Sequence, residues 1–257
     1  MHIVVAMRQL ADLVEELEVD GQGTDIDRDF VKFVSNEWDE AALEEALTIK
    51  DESGAAITVV ALDEPDVDQT LYAALAKGAD RAVKLTGNDP FSWIRTRERA
   101  QRLASFIAQE TFDLVLTGVQ AADDLDGQLA GVLGSLLDVP HAAVVVGVES
   151  TGSSLRIAQE LGGGLVGVSE LQLPSVLGIQ AARQAPRYAS ITRIRQAMQT
   201  QKIEEQEVTL DTPVTQVKVR RLYPPEKQGS ATMFNGSAKD VAAEIVAILR
   251  SKGLVQA

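Results

Sequence analysis

The chain has 257 residues, 45% of them apolar and 24% charged, with a formal net charge of −14. A chain of this length buries roughly 70–75% of its unfolded surface, so one large α/β domain, or one domain with an appendage, folds without metals or disulfides. The acidic balance opposes free nucleic acid and anionic membranes. No Cys and only two His set aside disulfides, thiolate metal sites and multi-His metal sites, and point to a reducing, cytoplasmic location.

Residues 2–6 (HIVVA) form a nearly all-apolar run, the pattern of a strand buried on both faces. The N-terminus lacks a basic stretch followed by a long apolar one, so a strand is expected there and not a signal peptide. No apolar run approaches ~20 residues, so no membrane insertion is expected. Residues 12–33 are acidic and weakly periodic, which predicts a long loop or irregular hairpin. A helix opens at residues 36–39 and continues through Ala42, Leu43, Ala46 and Leu47, with Asn36 or Asp39 as its cap.

Residues 57–62 (ITVVAL) read as the second buried strand. Residues 66–76 read as a helix ending at Lys77-Gly78, and residues 81–85 as the third strand. Residues 91–110 predict a long amphipathic helix, and residues 112–117 the fourth strand. A helix over 127–137 stops at Asp138-Val139-Pro140. Residues 141–148, 154–160 and 166–173 read as strands joined by Gly-rich turns, the last prolonged by 176–179. Beyond them come a short basic helix (190–200), an acidic polar stretch (204–207), an extended segment (212–222) and a turn-rich linker (224–237). A last helix over 239–254 carries an apolar stripe at Val241, Ile245, Ile248 and Leu249.

This alternation predicts a three-layer, doubly wound, mainly parallel sheet of the Rossmann-like, adenine-nucleotide-binding type, with right-handed crossovers. Residues 1–190 would form this α/β domain. Residues 191–257 would form an arm and helix that pack on another chain, because an amphipathic helix must bury its stripe. Ligands in such sheets sit beyond the carboxyl ends of the strands, here residues 7–12, 63–66 and 118–128.

Catalytic signals are sparse. There is no G-x-S-x-G elbow, P-loop or dinucleotide fingerprint. His141 reads as a strand-edge residue. Glu44 and Glu45 are adjacent in mid-helix and would point about 100° apart, which predicts a solvated face. The loop over 118–128 (GVQAADDLDGQ) runs from a buried strand to a helix start, where backbone N–H groups and the helix dipole favour anions. Asp126 there would serve equally as an N-cap competing for the same N–H groups.

Five ordered blocks now carry a resemblance across nearly the whole chain. They are VVAMRQLAD with Arg8 and Asp12, NEWDEAALEEA over 36–46, ALAKGADR over 74–81, GVQAADDLDGQLA over 118–130, and LPSV over 173–176 followed by QAPRYA over 184–189. Together they resemble the electron transfer flavoprotein β-subunit (ETF β/FixA) family. The resemblance implies a subunit with no catalytic residues of its own, redox-active only with an α subunit. The heterodimer would shuttle electrons from a flavin dehydrogenase to a quinone oxidoreductase or other acceptor. FAD would be shared with the α subunit, and this subunit would hold AMP or a second FAD.

By position, the resemblance puts the nucleotide against Ala6, Arg8, Asn36, Trp38, Asp39, Leu62, Gly118, Gln120, Asp123, Asp126, Gly127, Gln128, Leu129, Ala130 and Gly131. Leu13 and Trp38 would lie near the redox FAD. Gln180, Ala182, Arg183, Gln184 and Arg187 would form the partner-docking loop. The sequence departs from the family pattern at Asp63, Leu125, Asp126 and Ala130. Arg183 stands where the family carries a Leu anchor, which implies a different electron partner from acyl-CoA dehydrogenases. Two other readings use the same architecture. An ATP-pyrophosphatase-like ligase would need SGGxDS after the first strand, where AMRQLAD stands. A stress-type ATP-binding homodimer would need a G-x-x-G loop after the fourth.

Overall fold

A computed structural model describes residues 1–14, 16–124, 126–210, 219–224 and 231–255. Most of the extended segment expected over 212–222, and residues 225–230 of the linker expected over 224–237, lie outside the described residues. The strands are β1 (His2–Ala6), β2 (Gln9–Ala11), β3 (Phe33–Ser35), β4 (Ala56–Leu62), β5 (Arg81–Thr86), β6 (Leu114–Gly118), β7 (His141–Ser150), β8 (Ser154–Gly162), β9 (Leu165–Gln172), β10 (Ser175–Ile179) and β11 (Ile203–Glu207). The helices are α1 (Glu37–Ser53), α2 (Val67–Lys77), α3 (Thr96–Ile107), α4 (Leu129–Leu137), α5 (Ile191–Thr200) and α6 (Ala238–Ser251).

Nine strands form one sheet in the order β11-β5-β4-β1-β6-β10-β7-β8-β9. It is parallel from β11 to β7, and β7, β8 and β9 continue it as an antiparallel meander. This is the expected doubly wound, mainly parallel architecture. β1 shows why such strands read as unbroken apolar runs. Ile3 and Val5 enter one core with α1 and α2, while Val4 and Ala6 enter the other with α3 and α4.

Several expected boundaries change. The long helix expected over 91–110 begins only at Thr96. Before it, the Asp89 carboxylate accepts from the Phe91 N–H, its carbonyl from the Ser92 N–H, and Arg95 is extended. Residues 176–179 do not prolong the preceding strand. Pro174 offers no N–H to continue the ladder, and β10 instead enters the sheet between β6 and β7. The acidic stretch 204–207 is an edge strand, β11, paired in register with β5 and fastened by Arg81 to Glu204 and Lys84 to Glu205. Arg102 donates to the Val208 and Gly87 carbonyls and holds the chain as it leaves this strand.

α5 and β11 therefore belong to the layered unit, although both follow residue 190. The segment expected to be an irregular hairpin is one: β2 and β3 pair antiparallel, with a further bridge between Val19 and Ile26. The terminal helix α6 starts on a capping box between Ser237 and Asp240 and contains no buried residue. Among the described residues, no helix is long and apolar enough to cross a membrane.

Candidate functional site

The strand order reverses between β1 and β6. β1 leads to α1 on one face of the sheet and β6 to α4 on the other, so their carboxyl ends splay apart and form a crevice. Asp39, in the first turn of α1, spans it. One carboxylate oxygen accepts from the Gly118 N–H at 2.9 Å and the other from the Arg8 N–H at 3.0 Å. Asn36 caps α1 by position but not by its side chain, which donates to the Gln120 carbonyl at 3.0 Å. Gly118 must be glycine, because a Cβ there would stand 2.5 Å from Asp39 Oδ1 and 2.8 Å from Trp38 Cβ.

The buried Arg8 guanidinium faces the acidic loop. It lies 3.1 Å from Asp123 Oδ1 and 3.8 Å from Asp124 Oδ2. The second contact is an ion pair too long for a hydrogen bond, and Asp124 Oδ2 has no hydrogen-bond partner among the described residues. The loop is closed by paired backbone hydrogen bonds between Ala121 and Asp124. Two of the three aspartates thus neutralise an arginine that follows the neighbouring strand β1. Asp126 is exposed, and it does not cap α4 as expected. Gly127 has φ +62°, a left-handed conformation that ends the loop, and α4 begins after Gln128 with no side-chain cap.

Burial pushes the Asp39 carboxyl from its ordinary 3.8 up to about 6, against the pull of Arg8 and its hydrogen bonds. The folded state then holds a proton between about pH 4 and 6 that the unfolded state has released, so stability falls as pH rises through that window, by about 3 kcal/mol. In Asp39→Asn this contribution vanishes. The parent should lose about 3 kcal/mol relative to that variant between pH 4 and 7, measured by urea denaturation. A pH-independent difference between the two would refute the assignment.

Beside the crevice, over the carboxyl ends of β1 and β4, lies a cavity of ≈ 450 Å³. Its walls include Leu10, Leu13, Phe33, Pro65, Trp93 and Ile94, with Glu64, Arg99 and Asp123 as polar groups. Glu64 is doubly committed. One oxygen accepts from the Gln9 N–H at 3.1 Å, and the other accepts from Arg99.

A family model described as the electron transfer flavoprotein domain matches residues 25–212. The chain is 38% identical to the electron transfer flavoprotein subunit beta of Methylophilus methylotrophus, over 97% of this chain and 98% of that one. It is 30% identical to the subunit beta of Clostridium acetobutylicum over 98% of this chain and 99% of that one. Against the subunit beta of Bacillus subtilis the figures are 28%, 99% and 100%. The chain belongs to the electron transfer flavoprotein beta-subunit family.

Within this beta subunit, the residues expected around a nucleotide separate into groups. Arg8, Asn36, Trp38, Asp39, Gly118, Gln120 and Asp123 converge on the crevice. Gln128 is exposed at the start of α4. Ala6 and Leu62 are buried at strand ends in the core. Leu129 and Ala130 are also core residues, and Ala130 packs under β10 at Gly178. Gly131 faces the His141 ring. Leu13 is exposed and lines the cavity.

The docking-loop arginines are anchored on α1. Arg183 binds Glu45 through its backbone N–H at 2.9 Å and its Nε at 2.7 Å, and binds Glu52 at 3.0 Å. Arg187 makes the same arrangement with Glu44 at 2.7 and 3.0 Å and with Asp51 at 3.0 Å. Glu44 and Glu45 are therefore not a solvated pair. They are 3% and 0% exposed, because the loop after β10 folds over this face of α1. Gln180 is tied to the Val145 carbonyl through its N–H.

Sequence reading missed Arg99 and Glu64. A signal existed, because Arg99, Leu103 and Phe106 share one helical stripe, and Arg99 breaks its apolar character.

Proposed function

We propose that this chain is the β half of a heterodimeric electron carrier that moves electrons between a flavin dehydrogenase and an acceptor. Kinship with beta subunits along the full chain carries this reading. The α partner would hold most of a FAD, with Trp38 and Leu13 on the side facing its ring. Flavin accepts electrons in one- or two-electron steps, so it can link unlike redox partners. The segment after β11, ending in α6, would wrap the α subunit; a helix with no buried residue in the single chain supports that assignment.

The β1–β6 crevice would take an adenine nucleotide, either AMP or a second FAD. The residues present fit such a group. α4 starts without a side-chain cap, and the exposed Asp126 leaves that end of the helix available for phosphate. Arg8 compensates Asp123 and Asp124, whose charges would otherwise oppose an anion. The loop holding Gln180, Ala182, Arg183, Gln184 and Arg187 would meet the dehydrogenase. Its two arginines are already neutralised by α1, so this surface would present a shaped loop more than a free positive charge.

Expressed alone, the chain should purify with little flavin. Co-expressed with an α subunit, it should give a yellow 1:1 heterodimer whose extract contains FAD and an adenine nucleotide by mass spectrometry. A stable, colourless monomer that ignores the α subunit would refute the reading.

A further inference from the structure

The chain contains three asparagines, Asn36, Asn88 and Asn235. The first two are held in place. Asn36 is 2% exposed, and its side-chain amide donates to the Gln120 carbonyl. The Asn88 amide donates to the Asp63 carbonyl at 2.7 Å, and its side-chain oxygen is buried. Asn235 is different. It is exposed, and neither its side-chain amide nor the N–H of Gly236 has a hydrogen-bond partner among the described residues.

The residue after each asparagine sharpens the contrast. Glu37 and Asp89 follow the first two, and Gly236 follows the third. An asparagine amide reacts when the backbone nitrogen of the next residue reaches its side-chain carbonyl carbon. A Cβ on that next residue hinders the approach, and glycine has none. Gly236 also holds φ +143°, a conformation that other residues rarely adopt. The pair stands immediately before Ser237, whose capping box with Asp240 opens α6. No residue of α6 is buried, so the packed core does not restrain this joint.

We propose that Asn235-Gly236 is a site of spontaneous modification, a deamidation joint that marks copies of this chain left without a partner. The Gly236 nitrogen loses its proton to solvent base and bonds to Asn235 Cγ. The Cγ–Nδ2 bond breaks, and the amide nitrogen leaves as ammonia, taking a proton from water. Water then opens the resulting succinimide ring at either carbonyl, which gives aspartate or isoaspartate at position 235. Both products add a negative charge ahead of α6, and isoaspartate also lengthens the main chain by a methylene. The chemistry stands on Asn235 and Gly236 alone. Its restriction to unpartnered chains rests on the reading that α6 wraps an α subunit.

The test is incubation of the full chain, alone and as the heterodimer with an α subunit, followed by peptide mapping with mass spectrometry. In the free chain, Asn235 should convert to aspartate and isoaspartate while Asn36 and Asn88 keep their amides. Gly236→Ala should slow the conversion several-fold. Asn235→Gln should abolish the acidic species that ion exchange separates from the ageing parent. Both positions are exposed, and thermal unfolding checks that each variant folds as the parent does. In the heterodimer, conversion should be several-fold slower than in the free chain. An intact Asn235 amide in the aged free chain, or the parental rate in Gly236→Ala, would overturn the site. Equal rates in free chain and heterodimer would overturn the marking role. A chain that forms no heterodimer would refute the wrapping by α6 and the marking with it, while the free-chain rates still decide the chemistry.

Discussion

Gly118→Ala should destabilise the protein by about 3 kcal/mol or more, a loss far beyond that of a single methyl group on a surface. The added Cβ would fall 2.5 Å from Asp39 Oδ1 and 2.8 Å from Trp38 Cβ, and 2.9 Å from the Asp39 backbone nitrogen. Trp38 Cβ and the Asp39 nitrogen move only with the helix, and the Asp39 carboxylate is buried and held by two backbone N–H groups. α1 must move away from β6, and Asp39 then loses the Gly118 N–H. Overpacking costs about 1–3 kcal/mol, and a buried charged hydrogen bond adds about 1.5–3. Urea denaturation measures the sum. A variant within 1 kcal/mol of the parent would mean that the crevice is loosely packed.

Arg8→Met should cost about 3–5 kcal/mol at neutral pH, because it leaves Asp123 and Asp124 without their cation in a partly buried loop. Arg8→Lys, which keeps the cation, should recover part of the loss in urea denaturation at pH 7. No recovery in Arg8→Lys would assign Arg8 a packing role alone. The same variant bears on the nucleotide: if Arg8 makes the loop tolerable to phosphate, the purified heterodimer should lose its adenine nucleotide.

The order of strands and helices was legible because each buried parallel strand is an apolar run, and α1, α2 and α4 after them end at a glycine or proline signal, although α3 does not. Gly54 and Gly78 close α1 and α2 in this way. Less legible were features decided by residues far apart in sequence. β10 resembles a continuation of β9 locally, yet it pairs with β6 and β7. Glu44 and Glu45 look solvated in their own helix, and only the loop some 140 residues later buries them. β11 carries three glutamates and little apolar character, so its strand state comes from the open edge of β5 and from Arg81 and Lys84. In the site, the glycines and the Asn36 and Asp39 positions could be read from the motif. The pairing of Arg8 with the aspartates, and of Arg99 with Glu64, required the fold.

The position of β10 also governs how the chain can fold as it is made. The β7–β8–β9 meander is built from neighbours in sequence and can form early. The parallel strands β1, β4, β5 and β6 can assemble without it. The strand that joins these two pieces, β10, is synthesised after every strand of both, so the sheet stays in two halves until residue 179 is available. Until then, β6 and β7 each present an unfilled edge. A nascent chain halted before that point would expose two unpaired borders at the centre of its future core, which makes this short segment a checkpoint for productive folding.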